Sequence, residues 1–415
     1  MKPKLRPLEI SPIEQDGQDF FYFHDRLGFA QGAAVPGVWG TLLSFFDGTR
    51  DIASIIAAYE NKHGEKLTQE TVERIIERLD EAHFMDSPRF QEFRGGVISE
   101  FENASTRPAT LAGASYPASP AALRKMLDDF FKAAAKIKTQ PLFADAKVRG
   151  IVVPHIDFNR GGATEALAYQ QLKNEKFDVL VVLGIAHSGV DYPFCAAAKD
   201  FETPLGTAFC DRDFLEALNA RVDGKMLNEQ YAHKNEHSIE FVAVFLQHLE
   251  NLKSAKIVPI LCGGFFEALR NKKSPQSTPV IAQFIKALRE TFLEFEAKGQ
   301  RVGFIASVDL AHVGSRFGSD EVLTLAHLNE IEAEDSQFLQ AVEAGDAEKA
   351  HRTLAKNNNA RHVDAHPAIY TFLSAFPELR AQLLEYQQAF DANENSVVSF
   401  AAMTLFESST IDERG

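Results

Sequence analysis

Three apolar runs of this chain lead directly to side chains that could do chemistry. One leads to His155, the next to His187, and a third to Asp309 and His312. Each run has the length of a buried β-strand, and ligands of open α/β sheets bind outside the carboxyl ends of the strands. Imidazoles delivered to one such edge suit Zn, Cu, Fe and Ni. The set predicts a metal site, although each histidine alone would be interpreted as an ordinary loop residue.

His237 opens a predicted helix between the second and third runs, in the segment Asn235-Glu-His-Ser-Ile-Glu240. The spacing differs from H-E-x-x-H, which excludes a zinc-protease motif. Glu236 has two interpretations that the sequence leaves open: a catalytic carboxylate, or a cap that favours the helix dipole. His237 is the better candidate because the entrance of the helix can face the edge of the sheet.

Asp309 precedes His312 by three residues. A carboxylate beside a histidine fixes its tautomer and raises its basicity, which suits a general acid or base. The alternative is that Asp309 caps the next helical turn. We take His237, Asp309 and His312 as the candidate catalytic residues.

Asp364 lies between His362 and His366, just before a predicted helix. It is either the N-cap of that helix or the third member of a two-histidine, one-carboxylate triad with His155 and His187. Such a triad leaves coordination positions open for Fe(II) and substrate. We expect metal ligands at His155, His187 and Asp364, with the two interpretations of Asp364 both open.

The composition restricts the classes of partner. The formal net charge of −15 argues against nucleic acid and acidic membranes, which need clustered Lys and Arg. Cys195, Cys210 and Cys262 form no C-x-x-C pair and fit a reducing compartment. The first residues lack the apolar stretch of a signal peptide, and no run reaches the ~18 apolar residues that span a bilayer. We therefore expect a soluble, cytoplasmic protein.

Residues 18–90 have the pattern of a small winged-helix-like module with three helices and short strands. Apolar residues at helical spacing follow Pro36, Ile52 and Thr71, and Thr68 is a good N-cap. Acidic residues outnumber basic ones in this stretch, which is the wrong sign for a phosphate-binding surface. We predict that the module binds a peptide or protein, or is structural.

Residues 91–113 are predicted to be a linker, since they contain Gly95-Gly96 and show no clear periodicity. From residue 114 to 408, strands and helices alternate. Strands are predicted at 149–154, 179–185, 256–262, 302–308, 383–390 and 397–405, and helices at 163–173, 212–220, 238–250, 278–298, 321–344, 347–355 and 367–375. Near-continuous apolar strands between helices indicate an α/β fold with a mainly parallel sheet covered on both faces.

An ordered set of short motifs resembles the Memo family, protein B of the AmmeMemoRadiSam set. The motifs, which span about seven-tenths of the chain, are Ala114-Ser-Tyr116-Pro, Pro154-His155, Leu183-Gly184-Ile-Ala-His187, Thr203-Pro204-Leu205-Gly206, Glu236-His237-Ser238-Ile239-Glu240, Ser307-Val-Asp309-Leu-Ala-His312 and His366-Pro367. The resemblance implies a three-layer α/β fold similar to class III extradiol dioxygenases of the LigB type. Those enzymes hold non-haem Fe(II) with two histidines and a carboxylate.

By this resemblance, His155 and His187 take the two histidine positions, and the candidate catalytic residues take neighbouring pocket positions. Memo proteins carry a cysteine as the third ligand, and a one-for-one alignment places Val363 there with Asp364 beside it. If Asp364 faces the pocket, the carboxylate triad is restored; otherwise the site has only two firm ligands. The implied metal is Fe(II), with Cu, Zn or no metal as alternatives.

Residues 18–90 resemble PqqD-like peptide-recognition modules in the spacing of Leu42-Leu43, Asp47-Gly48 and Ile55-Ile56. Such modules present leader peptides to modifying enzymes, often radical-SAM enzymes.

Three hypotheses for function follow. The first is a non-haem iron redox enzyme with a dioxygenase-like site that acts on a small or peptide substrate. The second is a non-catalytic scaffold for a peptide or a radical-SAM partner protein, and the third is a metal-dependent hydrolase.

Overall fold

The computed structural model describes residues 2–142, 146–319 and 321–407. It divides into two compact units, one up to Ala104 and the other from Ser105 onward. The first unit has one hydrophobic core, and the second has a core on each side of its main sheet. Among the described residues, no helix combines the length and the apolar character that crossing a membrane requires.

The first unit combines a three-stranded antiparallel sheet with helices. Its elements are β1 (Glu9–Gln15), β2 (Gln18–His24), β3 (Ala33–Pro36), α1 (Gly40–Leu43), α2 (Ile52–His63), α3 (Gln69–Glu81) and α4 (Pro88–Asn103). Thr68 caps α3 as predicted, since its side chain accepts a hydrogen bond from the backbone N–H of Thr71. Phe23 of β2, Ile55 of α2 and Ile76 of α3 pack in the same core.

A β-hairpin stands near the start of the first unit, and its first strand precedes the predicted module, which begins at residue 18. Strands β1 and β2 pair with Gln15 opposite Gln18, and Asp16 and Gly17 form the turn with φ angles of 52° and 74°. Asp-Gly is a preferred pair for a two-residue hairpin turn because both central residues need a positive φ. The hairpin therefore extends the unit toward the N-terminus, and its local turn signal is present in the sequence.

Helix α4 occupies much of the segment that is predicted to be a linker. The Ser87 side chain caps it by accepting from the N–H of Phe90, and Pro88 stands at its first position. Gly95-Gly96 lies inside the helix, where each glycine costs about 1 kcal/mol relative to alanine. Phe90 and Phe101 are buried. This packing, which a local pattern does not reveal, outweighs the cost of the glycines.

The second unit contains the elements that form the predicted α/β domain. Its strands are β4 (Thr106–Arg107), β5 (Lys147–Val153), β6 (Val179–Ile185), β7 (Phe194–Ala196), β8 (Asp200–Thr203), β9 (Gly206–Ala208), β10 (Lys256–Cys262), β11 (Val302–Ser307), β12 (His312–Gly314), β13 (Leu379–Asp391) and β14 (Ser396–Glu407). Its helices are α5 (Pro120–Ala134), α6 (Phe158–Gln170), α7 (Arg212–Ala220), α8 (His237–His248), α9 (Phe266–Asn271), α10 (Pro279–Ala297), α11 (Leu325–Glu343), α12 (Ala347–Ala355) and α13 (His366–Ala375). Every strand and helix predicted between residues 149 and 405 is present.

Eight strands of the described residues form the main sheet. Their order is β12-β14-β5-β11-β6-β10-β7, and β13 also pairs with β14. Strands β5, β11, β6 and β10 are mutually parallel, whereas β14 and β7 run antiparallel to their neighbours β5 and β10. The parallel centre places the carboxyl ends of four strands at one edge.

Helices cover both faces of this sheet, which confirms the predicted three-layer α/β fold. In β6, Val179, Val181 and Leu183 belong to one hydrophobic cluster, and Leu180 and Val182 belong to the other. Helices α10 to α13 contribute to the first cluster, and α5, α6 and α8 contribute to the second. Because side chains alternate between faces along a strand, a continuous apolar run is buried on both sides.

A buried ion pair fixes the beginning of the second unit to helix α8. Arg107 of β4 pairs with Glu240 of α8, and both side chains are fully buried. The Arg107 guanidinium also donates to the carbonyl oxygens of His233, at 2.9 Å, and Glu236, at 2.8 Å. Tyr116 donates its hydroxyl proton to Glu240. These bonds hold the chain that leads into α8.

Replacing Glu240 with glutamine should lower the free energy of unfolding by about 3–5 kcal/mol, because Arg107 would stay buried without a counter-charge. Urea unfolding followed by far-UV circular dichroism measures the effect. The control is Glu250→Gln, whose side chain is 80% exposed in its pair with Lys253 and should leave the transition unchanged. A Glu240→Gln transition that coincides with the wild-type one would contradict the stabilising role of this pair.

Candidate metal centre

The carboxyl ends of three adjacent parallel strands carry predicted site residues. His155 follows β5, His187 follows β6, and Asp309 follows β11, which lies between those two strands. His312 is the first residue of β12, and His237 is the first residue of α8. The structure brings these side chains together at one edge of the sheet.

Helix α8 reaches this edge because Gly184 lets it approach β6 closely. A Cβ on Gly184 would lie 2.6 Å from Oγ of Ser238, which real contacts do not allow. Ser238 Oγ accepts from the N–H of Ile185 and donates to its carbonyl oxygen, both at 3.1 Å. Ser307 Oγ donates to the carbonyl oxygen of Ser238 at 2.6 Å. The first turn of α8 is therefore tied to both β6 and β11.

Glu236 orients two histidines at once. Its Oε1 accepts from Nδ1 of His187 at 2.9 Å and from Nδ1 of His237 at 3.1 Å. The same oxygen accepts from the N–H of Ser238 at 3.1 Å, so Glu236 is also the N-cap of α8. One carboxylate therefore caps the helix and fixes both rings. With the proton on Nδ1, each ring keeps its Nε2 lone pair for a metal.

His155 is held in the same tautomer by a different acceptor. Its Nδ1 donates to the carbonyl oxygen of Ser307 at 2.9 Å, while its Nε2 is buried without a hydrogen-bond partner. The ring centroid of His155 lies 5.0 Å from those of both His187 and His237, which are 4.5 Å apart. One candidate ligand atom from each ring lies within 4.8 Å of the others. This three-histidine cluster could hold a metal ion.

Asp364 faces the histidines instead of capping helix α13. Its Oδ1 accepts from the N–H of Asp309 at 2.8 Å. Its Oδ2 is buried without a hydrogen-bond partner, and lies 3.3 Å from Nε2 of His155 and 3.9 Å from Nε2 of His187. The N-cap of α13 is Ala365, so the capping interpretation of Asp364 is wrong.

Asp309 supports His155, not His312, which corrects the predicted pairing. Its Oδ1 accepts from the N–H groups of His155 and Ile156 at 3.1 and 3.3 Å, and its Oδ2 lies 3.8 Å from Nε2 of His155. The Nδ1 of His312 donates instead to two backbone carbonyls at 3.1 and 3.2 Å. The chain continues after Asp309 into β12, not into a helix, so residues three apart do not share a face. Nε2 of His312 lies 3.9 Å from Oδ2 of Asp364.

The burial of carboxylates among imidazoles shifts their pKa values. Burial lowers the pKa of His155, but the carboxylates of Asp309 and Asp364 outweigh it and raise that pKa to about 10. Burial raises the pKa of Glu236, but the two histidines that it orients hold the pKa well below its ordinary value. The position between His155 and the two aspartates therefore attracts a cation, whether a proton or a metal ion.

His233 and His366, two further buried histidines, have other partners. Nε2 of His233 makes a hydrogen bond with the carbonyl oxygen of Cys195 at 3.0 Å, and burial lowers the pKa of His233 to about 4. Nε2 of His366 lies 2.9 Å from Nδ1 of His351, and burial lowers the pKa of His366 to about 3. Both rings are therefore neutral members of the core.

Glu165 is a buried carboxyl group near the site that the sequence motifs did not single out. It lies in α6, and its Oε1 has no hydrogen-bond partner. Burial, together with the charge of Asp309, raises its pKa well above the ordinary value. The residues from Thr164 to Tyr169 are all buried. The available sequence signal is thus one acidic residue within a run of small and apolar ones.

Comparisons with known proteins agree with the motifs. Residues 107–404 match the family model described as Memo-like protein. The chain is similar to a MEMO1 family protein of Aquifex aeolicus, with 28% identity over 409 residues that cover 98% of this chain and 100% of the relative. It is 25% identical to one from Thermus thermophilus over 83% of this chain and 95% of the relative. It is 27% identical to one from Archaeoglobus fulgidus over 72% of this chain and 99% of the relative. The Aquifex relative therefore spans both units.

The substitution Glu165→Gln removes a group whose pKa in the folded protein lies well above its ordinary value of 4.5. Because the unfolded chain ionises this carboxyl more readily, the wild-type protein loses stability as the pH rises above that value. The free energy of unfolding of Glu165→Gln should exceed that of the wild type by an amount that grows with pH, at up to about 1.4 kcal/mol per pH unit.

Urea titrations of chelator-treated protein between about pH 5 and about pH 8 measure this difference. Glu216→Gln, at an exposed position on α7, is the control and should show no such growth. A difference between Glu165→Gln and wild type that stays constant over this range would contradict the assignment.

Proposed function

Because this chain belongs to the Memo-like protein family, we propose that it is a metal-dependent redox enzyme whose non-haem iron is held by His155, His187 and Asp364. The observation that carries the proposal is a pair of buried ligand atoms, Nε2 of His155 and Oδ2 of Asp364, which face each other at 3.3 Å and have no hydrogen bond to any other group. A cation between them satisfies both atoms, and a divalent metal ion would take the place of the proton that His155 carries in the metal-free protein. Two histidines and one carboxylate with open positions are the ligands of non-haem Fe(II) oxygenases.

The surrounding residues prepare these ligands and move protons. Glu236 keeps a proton on Nδ1 of His187, and the carbonyl oxygen of Ser307 does the same for His155. The bound ion would supply electron transfer and polarisation of a substrate at its open positions. His237, whose pKa burial lowers, is neutral near pH 7 and accepts a proton from the substrate. His312, whose Nε2 lies 3.9 Å from Oδ2 of Asp364, borders the same pocket.

The three-histidine cluster favours a second candidate, a hydrolase that uses a metal-activated water. Three histidines and an open position are one ligand set of catalytic zinc, and His155, His187 and His237 offer that set. The identity of the metal and the need for oxygen separate the two functions. Iron and oxygen consumption support the redox enzyme, whereas zinc and product release without oxygen support the hydrolase.

The metal content of full-length protein, purified without chelators and without a histidine tag, tests the redox proposal. We expect iron in the wild type and its loss in His155→Ala and His187→Ala, because each change removes a ligand. Asp364→Asn keeps the shape but not the charge, and should weaken iron binding at least about tenfold. His24→Gln, at an exposed position in the first unit, is the control. Wild-type iron content in His155→Ala, measured by mass spectrometry, would contradict the proposal.

A surface hollow in the first unit supports an additional role in binding a peptide or partner protein. The hollow has a volume of about 960 Å³ and is lined by β1, β2 and the segment Pro36-Gly-Val38. Val38 is 73% exposed and Ile13 is 36% exposed. Strands β1 and β3 are the edges of their sheet, and an extended peptide can add to a free edge while its side chains fill an apolar hollow. The resemblance to PqqD-like modules predicts the same kind of ligand.

Trp39, the single tryptophan of the chain, follows Val38 and packs against the core of the first unit, so we expect its fluorescence to respond to a ligand bound at Val38. A peptide selected from a random library on the full-length protein should change the Trp39 fluorescence. Val38→Asp should weaken that binding at least about tenfold, because a charge would replace an apolar contact. Val322→Asp changes an equally exposed valine in the second unit, also 73%, and should bind like the wild type. Equal binding by Val38→Asp would rule out the hollow.

A further inference from the structure

The candidate metal centre contains more donor atoms than one catalytic ion uses. We propose that this edge of the sheet binds two divalent cations, with the second held by His312, Asp309 and a shared Asp364. The inference rests on the proposed function for the first cation, at His155 and His187. A catalytic ion takes about three protein ligands and keeps positions open for substrate. Here four imidazoles and two aspartates surround one pocket.

His312 presents a nitrogen lone pair that the first cation does not need. Its Nδ1 donates to the carbonyl oxygens of Leu310, at 3.1 Å, and His362, at 3.2 Å. In the tautomer that these two bonds select, the free lone pair is on Nε2, which lies 3.9 Å from Oδ2 of Asp364. Nε2 of His312 and Oδ2 of Asp364 thus direct lone pairs toward each other. A cation between these two atoms would stabilise the arrangement.

Asp309 supplies a second oxygen. Its Oδ1 accepts from the backbone N–H groups of His155 and Ile156, and its Oδ2 lies 3.8 Å from Nε2 of His155. Asp309 is 2% exposed, so its charge must be compensated inside the pocket. Ionised, Asp309, Asp364 and Glu236 carry one negative charge more than a single divalent cation neutralises. The remaining charge attracts a further cation.

Asp364 lies at the centre as the shared ligand. Its Oδ2 lies 3.3 Å from Nε2 of His155, and 3.9 Å from Nε2 of both His187 and His312. Two metal–ligand bonds of about 2.1 Å each span at most about 4.2 Å, so this oxygen is close enough to share one cation with His187 and another with His312. Paired ions in enzymes are about 3.5–4 Å apart. Two aspartates and one imidazole suit Mn(II) as well as Fe(II).

Binding of Mn(II) to full-length, metal-free protein tests the second site. We expect the wild type to bind two Mn(II) ions per chain by calorimetry, with the electron paramagnetic resonance spectrum of a magnetically coupled pair. His312→Gln should bind one ion, with the spectrum of isolated Mn(II) and an unchanged far-UV circular dichroism spectrum. His362→Ala changes an exposed side chain on a neighbouring loop and should bind two ions, because only its backbone carbonyl contacts His312.

Each of the other possible numbers of bound ions also tests the second cation site. One ion in both the wild type and His312→Gln would overturn the second site and leave the proposed function intact. No bound ion in the wild type would overturn both. Two ions in His312→Gln would show that His312 does not hold the second ion, which also overturns the inference. If His312→Gln does not fold, the number of ions and the magnetic coupling in the wild type decide between one ion and two.

Discussion

The burial of acidic side chains among imidazoles is the interaction on which this edge of the sheet depends. Asp309 and Glu236 are 2% and 6% exposed, and buried carboxylates are costly unless they are paired, hydrogen-bonded or bound to a cation. Backbone N–H groups and the Nδ1 protons of two histidines provide part of the compensation. The rest is the positive charge of His155, whose pKa the aspartates raise to about 10. A metal cation that displaces this proton takes over the same electrostatic role.

The same constraint explains why helix α8 is fastened so firmly to the sheet. Glu236 can orient His187 and His237 together only while the first turn of α8 keeps its position against β6. Gly184 permits the close approach of the helix, and Arg107 binds the carbonyl oxygen of Glu236 at 2.8 Å. Ligands on rigid elements, oriented by a second layer of hydrogen bonds, hold their geometry without help from the metal.

The strand-end histidines could be predicted because their signal is local. His155 and His187 each follow an apolar run, and parallel strands share an edge at their carboxyl ends. The orientation of the rings could not be predicted, because the bond between Glu236 and His187 joins residues 49 positions apart. Arg107 lies in a stretch without periodicity and pairs with Glu240, 133 positions later. Such contacts depend on how the helices pack in the folded chain, and the sequence of one chain gives no local signal for them.

The resemblance to Memo proteins implies a cysteine ligand at a position that Val363 occupies in this chain. Val363, at the position that the alignment gives to that cysteine, packs into the hydrophobic core. The next side chain, Asp364, turns into the pocket, because Asp309 N–H binds its Oδ1 at 2.8 Å and Ala365 N–H binds the carbonyl oxygen of Asp309 at 3.0 Å. Thiolates select soft ions such as Cu(I) and Zn(II), whereas carboxylates with imidazoles suit Fe(II) and Mn(II). The bond from Asp309 N–H to Oδ1 of Asp364 therefore fixes a carboxylate, and not a thiolate, at this side of the pocket.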